Sequence, residues 1–162
     1  MRSRLAKVLL NINSGYTLFI SSWHMGLMVS IVLFWYPSWK GLTADTIQNN
    51  FAIPALIATK IFVILIPIAM LTATIMIITE WKTPMRWPSI IVLAGIIGST
   101  LTAKYFIFPL NDIIYAGVKS QDELTSLLIR WMQLNNWRVF FSVLTWLGML
   151  TFYTLKINRP QS

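Results

Sequence analysis

The chain contains no cysteine and only one histidine. A disulfide framework, a zinc thiolate centre, a CxxC redox pair and a catalytic cysteine are all excluded. Acidic residues are also scarce, with five Asp and Glu in 162 residues. None of them lies deep in an apolar run, which argues against a carboxylate proton relay of the pump type. There is no GxGxxG, P-loop, HExxH or GxSxG, so the chemistries those motifs carry are not encoded here. Neither an internal repeat nor a low-complexity stretch is present. Charged residues make up 11% of the chain, against about 25% in a soluble domain.

Apolar residues fill the gap, at 56% of the sequence. A spanning helix needs about 20 mostly apolar residues, and four such runs stand out, at about 15–36, 53–79, 88–110 and 137–155. They predict an all-α fold, an integral membrane four-helix bundle that occupies residues 1–162 as a single transmembrane domain. The basic start, MRSRLAK, resembles a signal peptide. The run after it is too long, and no small-residue cleavage site follows, so it reads as a retained span.

The charges orient the bundle. Arg2, Arg4 and Lys7, then Lys82 and Arg86, then Lys156 and Arg159 all fall on one side of four spans. The positive-inside rule makes that side cytoplasmic, with both termini inside. The expected location is a bacterial cytoplasmic (inner) membrane. The formal charge of +8 then reads as an orientation signal and a contact with anionic lipid in the bilayer, not as nucleic-acid binding. Trp35, Tyr36, Trp39, Trp81 and Trp87 sit at predicted span ends, as an aromatic belt would. Pro54, Pro67, Pro88 and Pro109 mark span starts, ends or a kink. Ser120-Gln121-Asp122-Glu123 fits a capping box. If Ser120 caps the fourth helix, it runs to about Lys156 over roughly 54 Å and projects about 20 Å on the outer side of a hydrocarbon core about 30 Å thick. A break near Asn135-Asn136 is the alternative.

Polar residues inside the apolar runs carry the functional information, because in lipid they face the bundle interior. Trp131, Asn135, Arg138, Ser142 and Thr145 share one helical face of the fourth span. Thr100, Lys104, Phe108 and Asn111 do so on the third, and Thr17, Ser21, His24 and Met28 on the first. Lys60 stands alone on the second. His24 falls near the midplane. Lys60, Lys104 and Arg138 converge in the outer third, which predicts a pocket for an anion or a phenolate held by charge-assisted hydrogen bonds. Taken singly, a lysine near a helix end also fits simple snorkelling. His24 fits a hydrogen-bonding or proton-transfer role, a structural role, or, with Met25 and Met28, a copper site. The residues name no cofactor.

The segment PLNDIIYAG, followed by LLIRWMQLNNWRVFFSVLTWLGML, resembles the anthrone oxygenase-like family of small four-helix membrane proteins. Pro109 and Asn111 match its motif at the end of span three. Arg130, Trp131 and Arg138 match its motif leading into span four. The family's His falls on Asn135, and His24 on another helix is the candidate to supply that imidazole. The resemblance implies a four-helix bundle that oxygenates an anthrone to an anthraquinone without a metal or organic cofactor. Polar stripes and resemblance together give the expected site: His24, Arg138 and Asn135 as catalytic residues, Lys60, Lys104, Asn111 and Trp131 binding the ligand, and no metal.

Three functions follow as expectations. The first is a membrane-embedded oxidoreductase or oxygenase that binds a flat apolar phenol, polyphenol or quinone in an outer-leaflet polar pocket. The second is a non-catalytic membrane subunit that docks a protein partner through the fourth helix and loop 37–52. The third is an anion transporter, which would require an oligomer to form its pore.

Overall fold

The computed structural model describes residues 4–158. Arg2 and Arg159, counted above for orientation, lie outside the described residues. The four helices are α1 (Arg4–Trp39), α2 (Gln48–Thr79), α3 (Arg86–Ala116) and α4 (Gln121–Ile157), and each is long and apolar enough to cross a membrane. The chain is thus an integral membrane protein with an all-α four-helix bundle. The helices alternate in direction. The start of α1, the α2–α3 turn and the end of α4 share one end, here called the terminal end. The α1–α2 and α3–α4 connections share the distal end.

Every helix is longer than its apolar run. α1 and α4 each continue beyond the apolar residues at both ends. Pro54 and Pro109, read above as span boundaries, lie inside continuous helices. The reason is a repeated device. π-helical turns occupy Ile31–Trp35, Gln48–Ala52 and Ala103–Ile107, and each ends two residues before a proline, at Pro37, Pro54 and Pro109. A proline cannot donate to the carbonyl four residues back, and its ring crowds that carbonyl. Here the residue just ahead of each proline donates five residues back instead, Tyr36 to Ile31, Ile53 to Gln48 and Phe108 to Ala103. The helix widens by one residue and carries on. Pro67 needs no such turn and sits within the α-helical part of α2.

α4 is unbroken over 37 residues, or about 55 Å, so Asn135-Asn136 do not interrupt it. Its N-cap is Ser120, whose Oγ accepts from the Glu123 N–H at 3.2 Å. Glu123 Oε2 in turn accepts from the Lys119 N–H at 2.7 Å, one residue earlier than a standard capping box would place it.

In the terminal half the helices meet through small residues. A Cβ on Gly95 of α3 would stand 2.9 Å from the Phe141 carbonyl oxygen of α4, and one on Gly98 would stand 2.7 Å from the Phe141 ring. Without glycine the two backbones could not come so close, the usual basis of helix association in lipid. Ala69, Ala73 and Met76 of α2 pack with Ile20, Val92, Ile96, Met149 and Phe152 into one core. Polar ties close this end. Asn13 Nδ2 donates to the Thr72 carbonyl at 3.0 Å, Thr17 Oγ1 to Thr72 Oγ1 at 2.9 Å and Lys156 Nζ to Ser14 Oγ at 3.1 Å.

The distal half is built from aromatic and large aliphatic side chains. Trp39, Leu42, Ile47 and Phe51 fold down onto Leu124, Leu128 and Trp131 of the projecting part of α4. Gln121 Nε2 fixes this cover by donating to the Leu42 carbonyl at 2.9 Å.

Candidate functional site

Within the distal half, below this cover, lies a cavity of about 350 Å³. That is within the range of small-molecule sites, which are mostly apolar with a few convergent polar groups. All four helices contribute to its wall. α1 supplies His24, Met28 and Trp35. α2 supplies Ala55, Ala58, Thr59 and Phe62. α3 supplies Thr100, Ala103, Lys104 and Asn111, and α4 supplies Trp131 and Arg138. The π turns of α1, α2 and α3 all contribute to the wall, through Ile31 and Trp35, Phe51, and Ala103, Lys104 and Ile107.

The polar stripes turn inward as their spacing requires. Thr17, Ser21, His24 and Met28 are buried on α1. Trp131, Asn135, Ser142 and Thr145 are buried on α4. Thr100, Lys104, Phe108 and Asn111 all line the cavity.

Arg138 is the central cation. Its Nη1 donates to Asn135 Oδ1 at 2.9 Å, while its Nε is buried and has no hydrogen-bond partner. Asn135 is fully buried and does not line the cavity. It orients Arg138 and donates through Nδ2 to the Tyr36 hydroxyl at 3.0 Å. Tyr36 donates in turn to the Met132 carbonyl at 3.0 Å. The chain Arg138–Asn135–Tyr36 therefore holds the guanidinium in place from the far side, leaving the Nε donor unspent. An unpaired buried N–H is costly, and the residue that carries it lies in the cavity wall.

His24 is held by Ser142, with Oγ and Nδ1 2.9 Å apart. The Ser142 hydroxyl also donates to the Arg138 carbonyl at 2.7 Å. A hydroxyl has one hydrogen. With that hydrogen on the carbonyl, His24 Nδ1 must be the donor to Ser142, and Nε2 is left as an acceptor. The imidazole then carries its hydrogen on Nδ1 and its free lone pair on Nε2. Among the described residues, no group of three His, Cys, Asp or Glu is placed to hold a metal.

Two of the expected ligand-binding residues make a buried pair. Trp131 Nε1 donates to Asn111 Oδ1 at 2.8 Å, which locks the roof of the cavity and leaves the Asn111 amide nitrogen for a ligand. Lys104 is exposed and lines the cavity at its edge, with Nζ 5.4 Å from the Tyr105 ring. Lys60 does not belong to the site. It is exposed and absent from the wall. The cavity-facing positions of α2 are 51, 54, 55, 58, 59, 62, 63, 66, 67 and 70, and position 60 falls off that stripe. Two of the three cations line the cavity, and Lys60 does not.

Spacing alone missed Tyr36, Trp39 and Phe51. Tyr36 and Trp39 were read as belt residues, yet Trp39 is buried, with its ring centroid 5.2 Å from Trp131 and 4.8 Å from Phe51. Trp35 also lines the cavity. Trp81 and Trp87 remain exposed at the terminal end, as belt residues should. Loop 37–52 packs Trp39, Leu42, Ile47 and Phe51 on Leu124, Leu128 and Trp131 of its own α4.

The fold and site together describe a four-helix membrane protein with a mostly apolar cavity presenting one arginine and one histidine. The chain matches no protein-family model, no curated protein and no solved structure.

Proposed function

We propose that this protein is a membrane-embedded oxidoreductase of the anthrone oxygenase type that binds a flat phenol or quinone in the cavity. The observation that carries this reading is Arg138, whose buried Nε has no partner, set with His24 in the wall of a mostly apolar cavity. A phenolate or enolate oxygen is the acceptor such a donor lacks. On the positive-inside reading the cavity lies in the outer leaflet of a cytoplasmic membrane, of bacterial type.

The chemistry assigns one task to each group. His24 Nε2 takes the acidic ring-methylene proton of an anthrone, giving an aromatic enolate. Arg138 offsets the charge that develops on its oxygen, and acts strongly because the site is dry. Asn135 and Tyr36 position the guanidinium. Lys104 lies at the edge, and Asn111 and Trp131 border the ring. Dioxygen, the oxidant, adds to the electron-rich carbon. Loss of water then leaves a carbonyl there, so one anthrone and one dioxygen give one quinone and one water.

Titration with 1,8-dihydroxyanthrone, followed by absorbance, tests this. Arg138→Gln should weaken binding by roughly 10- to 100-fold, the worth of a hydrogen bond to a charged group. His24→Ala should bind within a few-fold of the parent but lose turnover. An unchanged Kd in Arg138→Gln together with full turnover in His24→Ala would rule the reading out. Mass spectrometry of protein purified gently from native membrane should reveal a bound phenol or quinone.

A further inference from the structure

We propose that the cavity is loaded sideways from the lipid, through a window between α2 and α3, and that its natural ligand is a ring bearing a hydrocarbon tail. The ring half of this statement rests on the function proposed above. The route and the tail rest on the walls.

The distal end is covered by aromatic rings. Trp39, Phe51 and Trp131 are buried there and stacked edge to face, with centroids 4.8 to 5.4 Å apart. The terminal end is shut by the close contact of α3 with α4 at Gly95 and by Ala69, Ala73 and Met76 of α2. The side between α2 and α3 is different. From Ile53 to Thr79, α2 buries only those same three residues, all in its terminal half, so positions 53–68 include no buried residue. α2 meets α3 along the terminal half and again at the distal tip, where Gln48–Ala52 touches Phe108–Ala116. Between those two contacts lies the stretch of α2 that buries no residue.

The exposed members of the cavity wall mark its mouth. They are Val63 and Pro67 on α2 and Lys104 on α3. At 1.5 Å per residue, Pro67 and Val63 stand about 18 Å and about 24 Å from the terminal end of α2, within a hydrocarbon core about 30 Å thick. The mouth therefore opens among acyl chains. Its two α2 residues are apolar. A ligand whose ring reaches Arg138 would leave its remainder in that gap, where a hydrocarbon tail is at home and a water-soluble group is not. Lys104 caps the outer edge of the mouth, where its amine can reach the headgroups.

The test uses the full chain in phospholipid vesicles and a small aryl diazirine dissolved in the bilayer, with insertion sites mapped by peptide mass spectrometry. Ala103 and Ile107, inward-facing wall residues, should be labelled from the lipid. Val63→Trp, which fills the mouth, should reduce that labelling to the background seen at Met76. Ile64→Trp, at an exposed neighbour off the wall, should leave it intact and controls for the added bulk. No labelling of Ala103 and Ile107 in the parent, or labelling indifferent to Val63→Trp, would overturn the window. In the parent a decyl-tailed benzoquinone should protect both residues, and at lower concentration than the same ring without its tail; equal protection by the tailless ring would overturn the tail. If the window holds but neither this quinone nor 1,8-dihydroxyanthrone protects, the function proposed above fails and the route survives. If labelling is indifferent to Val63→Trp while 1,8-dihydroxyanthrone still protects the parent, the route fails and the function survives.

Discussion

The two halves of this bundle use the same four helices and pack them in opposite ways. In the terminal half, Gly95, Gly98 and Gly148 let α3 and α4 approach until an added Cβ would meet backbone or ring atoms, and Ala69 and Ala73 bring α2 close behind. In the distal half the contacts are large rings, three helices are widened by π turns, and a cavity of about 350 Å³ remains. Small residues bring helices together in lipid because no hydrophobic force does so. Large rings hold them apart while filling the roof. Atoms lining an empty space lose contacts on one side, so a cavity of this size weakens the half that contains it. One half supplies the stability and the other uses it to keep a site open.

The sharpest way to break that contrast is to spoil the dense half. Gly95→Leu puts a branched side chain against the Phe141 carbonyl, and overpacking of this kind costs about 1–3 kcal/mol or more. With backbone on the far side there is little room to yield, so the upper end is expected. Circular dichroism melts in detergent should show a large drop in Tm and loss of folded protein. A melt like the parent's would mean that the α3–α4 contact does not carry the fold.

A smaller effect should follow in the open half. Trp131→Phe removes the buried N–H that serves Asn111 Oδ1 at 2.8 Å and thins the packing against Trp39 and Phe51. The expected cost is about 1–2 kcal/mol, near the upper limit for polar contacts within membrane bundles. Hydrogen exchange should quicken over 37–52 and 103–116 and stay unchanged over 88–99. Faster exchange throughout would show that the two halves unfold as one unit, and the contrast would then be one of packing only.

Much of this was legible in the sequence. Four apolar runs define the four helices, because lipid leaves the backbone little alternative to a helix. The inward faces of α1, α3 and α4 follow from three- and four-residue spacing, since polar groups must turn away from lipid. Lys60 shows where spacing fails: a single residue has no stripe, so its depth could be read but not its direction. Trp39 shows another limit. Span ends and cavity roofs draw on the same aromatic residues, and only the fold of loop 37–52 onto α4 separates the two roles. The Tyr36–Asn135 bond joins residues 99 apart in the chain, and no periodicity within one helix encodes it. The prolines were visible, but they suggested ends where the helix in fact widens.

That last point yields the smallest expected effect. Pro109 is exposed, and the π turn before it can be credited either to the proline or to the contacts on both sides. A regular α-helix through Ala103–Ile107 would remove one residue from the turn and rotate everything beyond it by about 100°. Asn111 would then swing away from Trp131, or Thr100 and Gly98 away from their neighbours. Those anchors hold the register whether or not residue 109 has an N–H. Pro109→Ala should therefore keep the π turn, change stability by no more than about 0.5 kcal/mol as exposed substitutions do, and leave the near-UV circular dichroism of Trp131 intact. A collapse of that signal with loss of 1,8-dihydroxyanthrone binding would show instead that the proline sets the width of the helix, and with it the shape of the cavity.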